Sequence, residues 1–334
     1  MSWRQKRSLG EEFVSKIYDT FQVDERYVLD HPDGFTYWSG DLATTVRTDP
    51  GLFRQSQVTY RVTATTEFIR GRGRVPEVIL ALEEILDHGT MSGAVYNPQS
   101  DVFALECGVY ATEDNAEFTK GAMAAAVCLQ VNEAMVLSAR LAEHLRTSIA
   151  YSAHPTQGPR SGVDESLSHT FEQFTASGAA PNRWRGQPEW QQAEWVMERE
   201  AITFESDHQS RIHATFPWHC GGQPIDFLVG IDEAHPRLGA GLHATLVIPM
   251  PLPRAGIGKL ALNLNHYEAN EYKRCHTLGS WCMHDEKLAF RLFVPNLLYT
   301  PQALTEVCVA MATRAIWVDE WFVALRQQAA QPSS

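Results

Sequence analysis

The feature that most constrains this chain is that its pattern of strands and helices can be read twice. Val75, Val78, Leu82 and Ile85 fall at the spacing of one helix face. Counting 182 positions on, Val75 to Ile257, brings up Ile257, Leu260, Leu264 and Tyr267 at the same spacing. Each expected helix follows a strand-like run, residues 58–69 and 242–250, across a turn that contains Gly and Arg. The match then continues at an offset of 185, Ala94 to Gly279, after a short loop insertion of the kind loops tolerate. Ala94-Val95-Tyr96 aligns with Gly279-Ser280-Trp281, and Phe103, Leu105, Cys107 and Val109 with Leu288, Phe290, Leu292 and Val294. The last two sets alternate at period two, as a strand with one buried face requires.

A long helix is expected to close each half. Glu113-Asp114-Asn115 supplies a start signal for the first, which runs to about Leu145. Thr300-Pro301 reads as an N-cap and first-turn proline for the second, followed by Leu304, Val307, Met311, Ala315 and Val318. Further strands are expected at 35–38 and 42–47, and at 201–204, 211–216 and 225–231. The fold class expected is α+β: two tandem domains, 10–150 and 196–328, each an antiparallel sheet packed with helices. Residues 151–195 are rich in Ser, Gly and Pro at their start and read as a linker, with a short helical piece at 165–174.

Three segments carry a resemblance to a known family. They are Leu262-Asn263-Leu264-Asn265 leading to Gly279-Ser280-Trp281, the strand 288–294, and Gly34-Phe35-Thr36-Tyr37-Trp38 followed by the run 58–69. Together they resemble the YbjN family, whose domains are similar in fold to type III secretion chaperones. Tandem bacterial versions are grouped as TY-Chap proteins. The resemblance implies binding of a protein client or partner subunit, with no catalytic residue, metal or cofactor to carry over. Secretion chaperones of this kind are short acidic homodimers. Two fused halves therefore imply a pseudo-dimer within one chain, with a homodimer still possible.

Composition narrows the partner. The chain holds 28 Lys and Arg against 40 Asp and Glu, a net charge of −12, which disfavours nucleic acid. Arg70-Gly71-Arg72-Gly73-Arg74 reads as a solvated turn. No apolar run follows the basic residues 1–7, and the stretch 121–129 falls well short of the roughly 20 residues a membrane span needs. No secretory signal and no membrane span are expected, and the expected location is cytoplasmic. Hydrophobic residues make up 44%, enough for sizeable cores. The cysteines are spaced as buried free thiols rather than as a disulfide framework.

The motifs that suggest chemistry each have a plainer reading. Ala255-Gly256-Ile257-Gly258-Lys259 has the strand-then-helix context of a phosphate loop, but Pro253 stands where the opening Gly belongs and Leu260 where the hydroxyl belongs. It reads as a helix start. Cys275, His276, Cys282 and His284 lack the paired short spacing of zinc sites and read as core thiols with surface histidines. His213, His219, Cys220 and His243 would need an activating neighbour to make a Cys-His nucleophile, and Gly221-Gly222 reads as a turn. Glu83, Glu84, Asp232 and Glu233 read as solvated carboxylates. The aromatics point to binding: Trp184, Trp190 and Trp195 crowd the end of the linker, either docking it or facing a partner. Trp317 and Trp321 give the last helix a second apolar face. The function expected is non-enzymatic, chaperone-like protein binding. The alternatives are a regulatory or scaffold subunit of a bacterial secretion or defence system, and an enzyme with an unrecognised Cys/His site.

Overall fold

A computed structural model of the chain describes residues 3–21, 23–54, 57–86, 89–160, 164–250, 252–270, 276 and 278–330. The first half opens with helix α1 (Leu9–Phe21), then strands β1 (Val28–His31), β2 (Gly34–Ser39) and β3 (Leu42–Thr48). A short β4 (Leu52–Arg54) folds back on the long β5 (Gln57–Arg70). Helix α2 (Val75–Leu86), the hairpin β6 (Gly93–Asn97) and β7 (Val102–Ala111), and helix α3 (Ala116–Leu145) follow. After β8 (Ser148–Ile149) and α4 (Glu165–Gly178), the second half runs α5 (Glu189–Glu200), β9 (Thr203–Ser206), β10 (Arg211–Phe216), β11 (Ile225–Gly230) and β12 (Gly241–Ile248). It ends with α6 (Arg254–Asn270), β13 (Ser280–His284), β14 (Lys287–Pro295) and α7 (Ala303–Ala330).

The protein is α+β with two antiparallel sheets, and the two sheets have the same strand order. The first runs β1-β2-β3-β5-β7-β6, with β4 and β8 also paired to β5; the second runs β9-β10-β11-β12-β14-β13. The helices repeat too: α1 packs on α3, and α5 on α7. Alternation explains which face each helix covers. In β12, Leu242, Ala244, Leu246 and Ile248 are buried, while His243, Thr245 and Val247 turn to the opposite face. β5 behaves alike, burying Val62, Ala64, Thr66 and Phe68.

The hairpin correspondence differs from the sequence expectation. Asn97 pairs with Val102 across residues 98–101, whereas His284 pairs with Lys287 across 285–286 alone. Asp285 and Glu286 both take left-handed backbone (φ 48° and 60°), the conformation a two-residue hairpin turn demands. The shorter turn shifts the incoming strand. Ala94, opposite Leu105, corresponds to Trp281, opposite Phe290, an offset of 187 rather than 185. The outgoing strands keep 185.

Two further expectations change. Thr300-Pro301 does not cap the last helix. Gln302 is left-handed (φ 77°), so α7 starts at Ala303, and the buried Thr300 hydroxyl has no hydrogen-bond partner among the described residues. Within the expected linker 151–195, the described residues carry helix α4 and the start of α5 and are tied to both halves. Asp164 caps α4 by accepting from the Leu167 N–H (3.3 Å) and pairs with Arg160 (2.9 Å). The same carboxylate accepts from the hydroxyls of Tyr37 and Ser39 on β2. The far end of the segment is tied to the second half, where Asn296 bonds the Ser177 carbonyl (2.9 Å) and the Arg183 N–H (2.8 Å). One hydrophobic core accordingly runs through both halves, from Phe13 and Val62 to Phe227, Trp281 and Met311. Within that core α3 is long and apolar enough to cross a membrane by length and composition, and 78% of its apolar window is buried inside the protein.

Candidate functional site

The halves meet where their outermost hairpin strands, β6 and β13, come together beneath α2 and α6. An edge strand carries unpaired N–H and C=O groups that must find partners when buried. Asn265 of α6 supplies them for both sheets. Its Nδ2 donates to the carbonyls of Ala94 and Trp281 (3.0 Å each), and its Oδ1 accepts from the Trp281 N–H (2.7 Å). Gly93 makes room for it, since a β-carbon there would lie 2.7 Å from the Asn265 amide. Nearby, Gly279 donates to the Met91 carbonyl (2.9 Å) and holds φ at 109°, which also favours glycine.

Buried charge reinforces this junction. Glu133 on α3 accepts from Thr90 (2.9 Å), Ser92 (3.2 Å) and, from the second half, Arg237 (2.8 Å). Burial raises its carboxyl above the ordinary range despite these donors. Deeper in the second half, fully buried Arg314 of α7 forks onto Glu268 (2.7 and 3.0 Å) and lies over the Phe290 ring. Trp281 Nε1 donates to the same carboxylate (3.0 Å), and Tyr110 from the first half donates to the Glu268 carbonyl (3.0 Å).

Above the junction lies a groove of about 1070 Å³. Val75 and Ile79 of α2 form one wall, and Leu262 and Asn263 of α6 the other. The floor is the face of the first sheet that α1 and α3 leave uncovered, and it carries Thr65 and Glu106. These two residues sit directly opposite each other on β5 and β7. Among the described residues Glu106 has no hydrogen-bond or ion-pair partner. Desolvation pushes its carboxyl up to about 7, and the positive charge of Arg61 opposes the shift.

The tryptophans singled out in the sequence separate. Trp184 and Trp190 are buried in the core, with Trp190 Nε1 donating to the Trp184 carbonyl (2.7 Å) and Trp184 stacked edge-on to Tyr299. They anchor the segment entering α5. Trp317 is also buried, against Tyr267 and Trp281, so the second apolar face of α7 is covered by its own half. Trp321 is half-buried beside Tyr267 and Phe322. Trp195 alone of the five is largely exposed, at 58%.

The suggestive Cys and His residues do not converge. Cys275 lies outside the described residues, as do the side chains of Glu83 and Glu84. His276 is buried, its ring held down to about 3 by desolvation and by Arg314, while its carbonyl accepts from Arg314 (2.9 Å). Cys282 is buried, and His284 lies 3.7 Å from Asp285. His213 pairs with Asp226 (2.5 Å) and His219 with Asp319 (2.5 Å); His243 packs on Phe293 and is held down to about 4 by burial. Cys107, Cys128, Cys220, Cys282 and Cys308 are buried, and burial raises the thiols of Cys107, Cys128 and Cys308. Asp232 pairs with Arg185 (2.5 Å). Among the described residues no group of three or more His, Cys, Asp or Glu side chains is placed to hold a metal ion. The Gly-Ile-Gly-Lys stretch lies in the first turns of α6.

No family model, no curated protein and no solved structure matches this chain. Its site therefore has to be read from its own geometry. Sequence reasoning missed Glu106, Asn265 and Glu133. Glu106 had a signal: it is the charged residue on the off-beat of an otherwise apolar alternation, Leu105-Glu106-Cys107.

Proposed function

We propose that this chain is a non-enzymatic, chaperone-like module that binds a segment of a protein client or partner subunit in the groove between its halves. The observation that carries this reading is the groove itself. It is built jointly by α2, α6 and the first sheet, and its volume stands at the top of the ~300–1,000 Å³ range of small-molecule pockets. Its lining is largely apolar, and the titratable groups near it are dispersed rather than arranged as nucleophile, base and orienting partner. The repeated strand order supports a tandem relationship of the YbjN and type III secretion chaperone kind, with the pseudo-dimer contained in one bacterial, cytoplasmic chain. Exposed Trp195 is a secondary contact point; buried Trp184, Trp190 and Trp317 serve the fold. A net charge of −12 favours protein over nucleic acid as the partner.

The test is purification from the native host with the wild-type chain and with Asn263→Trp, which narrows the groove from an exposed wall position. Chaperoning predicts suppressed aggregation of several unrelated clients by the wild type and weaker suppression by the variant. One stoichiometric partner, lost in the variant, would instead identify a scaffold or regulatory subunit. Clients or partners retained equally by both proteins would rule out the groove.

A further inference from the structure

Resting on that reading, we propose that the groove selects a segment with a basic side chain flanked by apolar residues, the cation seated against Glu106. The argument is one of charge complementarity in a groove where Val75, Ile79 and Leu262 stand over the floor and the polar residues Asn97, Gln99, Lys259 and Asn263 also line it. Glu106 projects from β7 onto the floor, and Glu67, on the same face of neighbouring β5, is exposed at the rim. Apolar walls make an unpaired carboxylate unfavourable, and an incoming ammonium or guanidinium would restore to it the partner it lacks.

The charged and titratable groups around Glu106 leave that position open. Arg61, on β5, is held elsewhere: it pairs with Asp49 (2.9 Å) and donates to the Ala269 carbonyl (2.8 Å). Tyr96, on β6, gives its hydroxyl to Asp101 (2.8 Å). On α6, His266 Nδ1 accepts from Asn270 Nδ2 (3.3 Å), and exposed Lys259, which also lines the groove, makes no ion pair to Glu106 within 4.0 Å.

The second half shows that the fold does not require a carboxylate here. Glu106 lies opposite Thr65, and Arg291 lies opposite Thr245 at the matching place in the second sheet. There the hollow is smaller, about 470 Å³, and Arg211, Lys287 and the carboxylates of Asp226, Asp232, Glu233 and Asp285 join Arg291 in lining it. One scaffold position thus carries opposite charges in the two halves. The acidic version stands under the larger, apolar-walled groove.

The experiment is a selection of short random peptides displayed on phage against the immobilised full chain. Parallel selections use Asn263→Trp, Glu106→Gln and Glu106→Arg, each first shown to unfold cooperatively like the wild type. Clones recovered from the wild type but not from Asn263→Trp define groove binders. We expect these to be enriched about tenfold in Lys or Arg at one position beside apolar residues, the ratio expected of one charge-assisted contact. That enrichment should vanish on Glu106→Gln and turn to Asp or Glu on Glu106→Arg. Groove binders without basic enrichment, or with enrichment that survives Glu106→Gln, would overturn the inference and leave the protein-binding reading standing. Identical clones, or none, from the wild type and Asn263→Trp would overturn both.

Discussion

At the scale of single residues, the second half is held by a charge that never reaches water. Arg314 is fully buried, and its guanidinium forks onto Glu268 while also bonding the His276 carbonyl. Removing one member of such a pair strands the other charge, which typically costs about 3–5 kcal/mol. Arg314→Ala should lose about that much in denaturant unfolding; a loss under about 1 kcal/mol would mean that water reaches Glu268. Burial also sets an acid limit. His276 is held near 3 in the folded chain against an ordinary 6.5. The unfolded chain therefore binds the proton first, and stability should fall as pH drops from about 6.5 towards about 3. His276→Phe should flatten that limb in pH-dependent melting, and an unchanged limb would assign it to other groups. None of this was legible in the sequence. Arg314 and Glu268 are 46 positions apart, and a lone Arg on an apolar helix announces no partner.

At the scale of elements, the sequence was informative wherever local periodicity decides structure. The alternation in β7 and β14 and the stripes of α2 and α6 were all readable, because large apolar side chains recur at the period of the element, even though β7 and β14 are buried on both faces. Elements whose existence depends on tertiary contact were not. The tryptophans at the end of the expected linker allow either docking or a partner surface, and which applies depends on tertiary packing: Trp190 is buried, whereas Trp195 is exposed. The offset of β13 was misread because turn length, four residues against two, is not a hydrophobic pattern. Asn265 was quoted for a resemblance, yet its work is to satisfy the edges of both sheets. Asn265→Ala should cost about 2–4 kcal/mol, since it leaves several buried backbone groups unpaired. Asn265→Asp, nearly the same shape, should be at least as damaging, because a carboxylate would face the carbonyls of Ala94 and Trp281. Thermal melts of the two variants check this. An Asp variant as stable as wild type would show that the amide donors are not needed.

At the scale of the whole molecule, two sheets of the same order are fastened through α4, through the Glu133–Arg237 pair and through Asn265, so that one core runs through both. The meeting of the two sheets is what creates the groove. α6 lies across the edge of its own sheet and the edge of the other, leaving the first sheet's floor open beneath apolar walls. The doubling was visible in the sequence; the groove was not, because its walls come from opposite halves. Binding of a protein segment in that groove is the central claim, and a photo-crosslinking residue placed in the native host tests it most directly. Gln99 lies at the groove rim, while Lys16 is exposed on α1, across the sheet from the groove. Crosslinks to a polypeptide from position 99, absent from position 16 and lost when Asn263→Trp is added, are the predicted result. Equal crosslinking from both positions, or crosslinking from 99 that persists with Asn263→Trp, would contradict it.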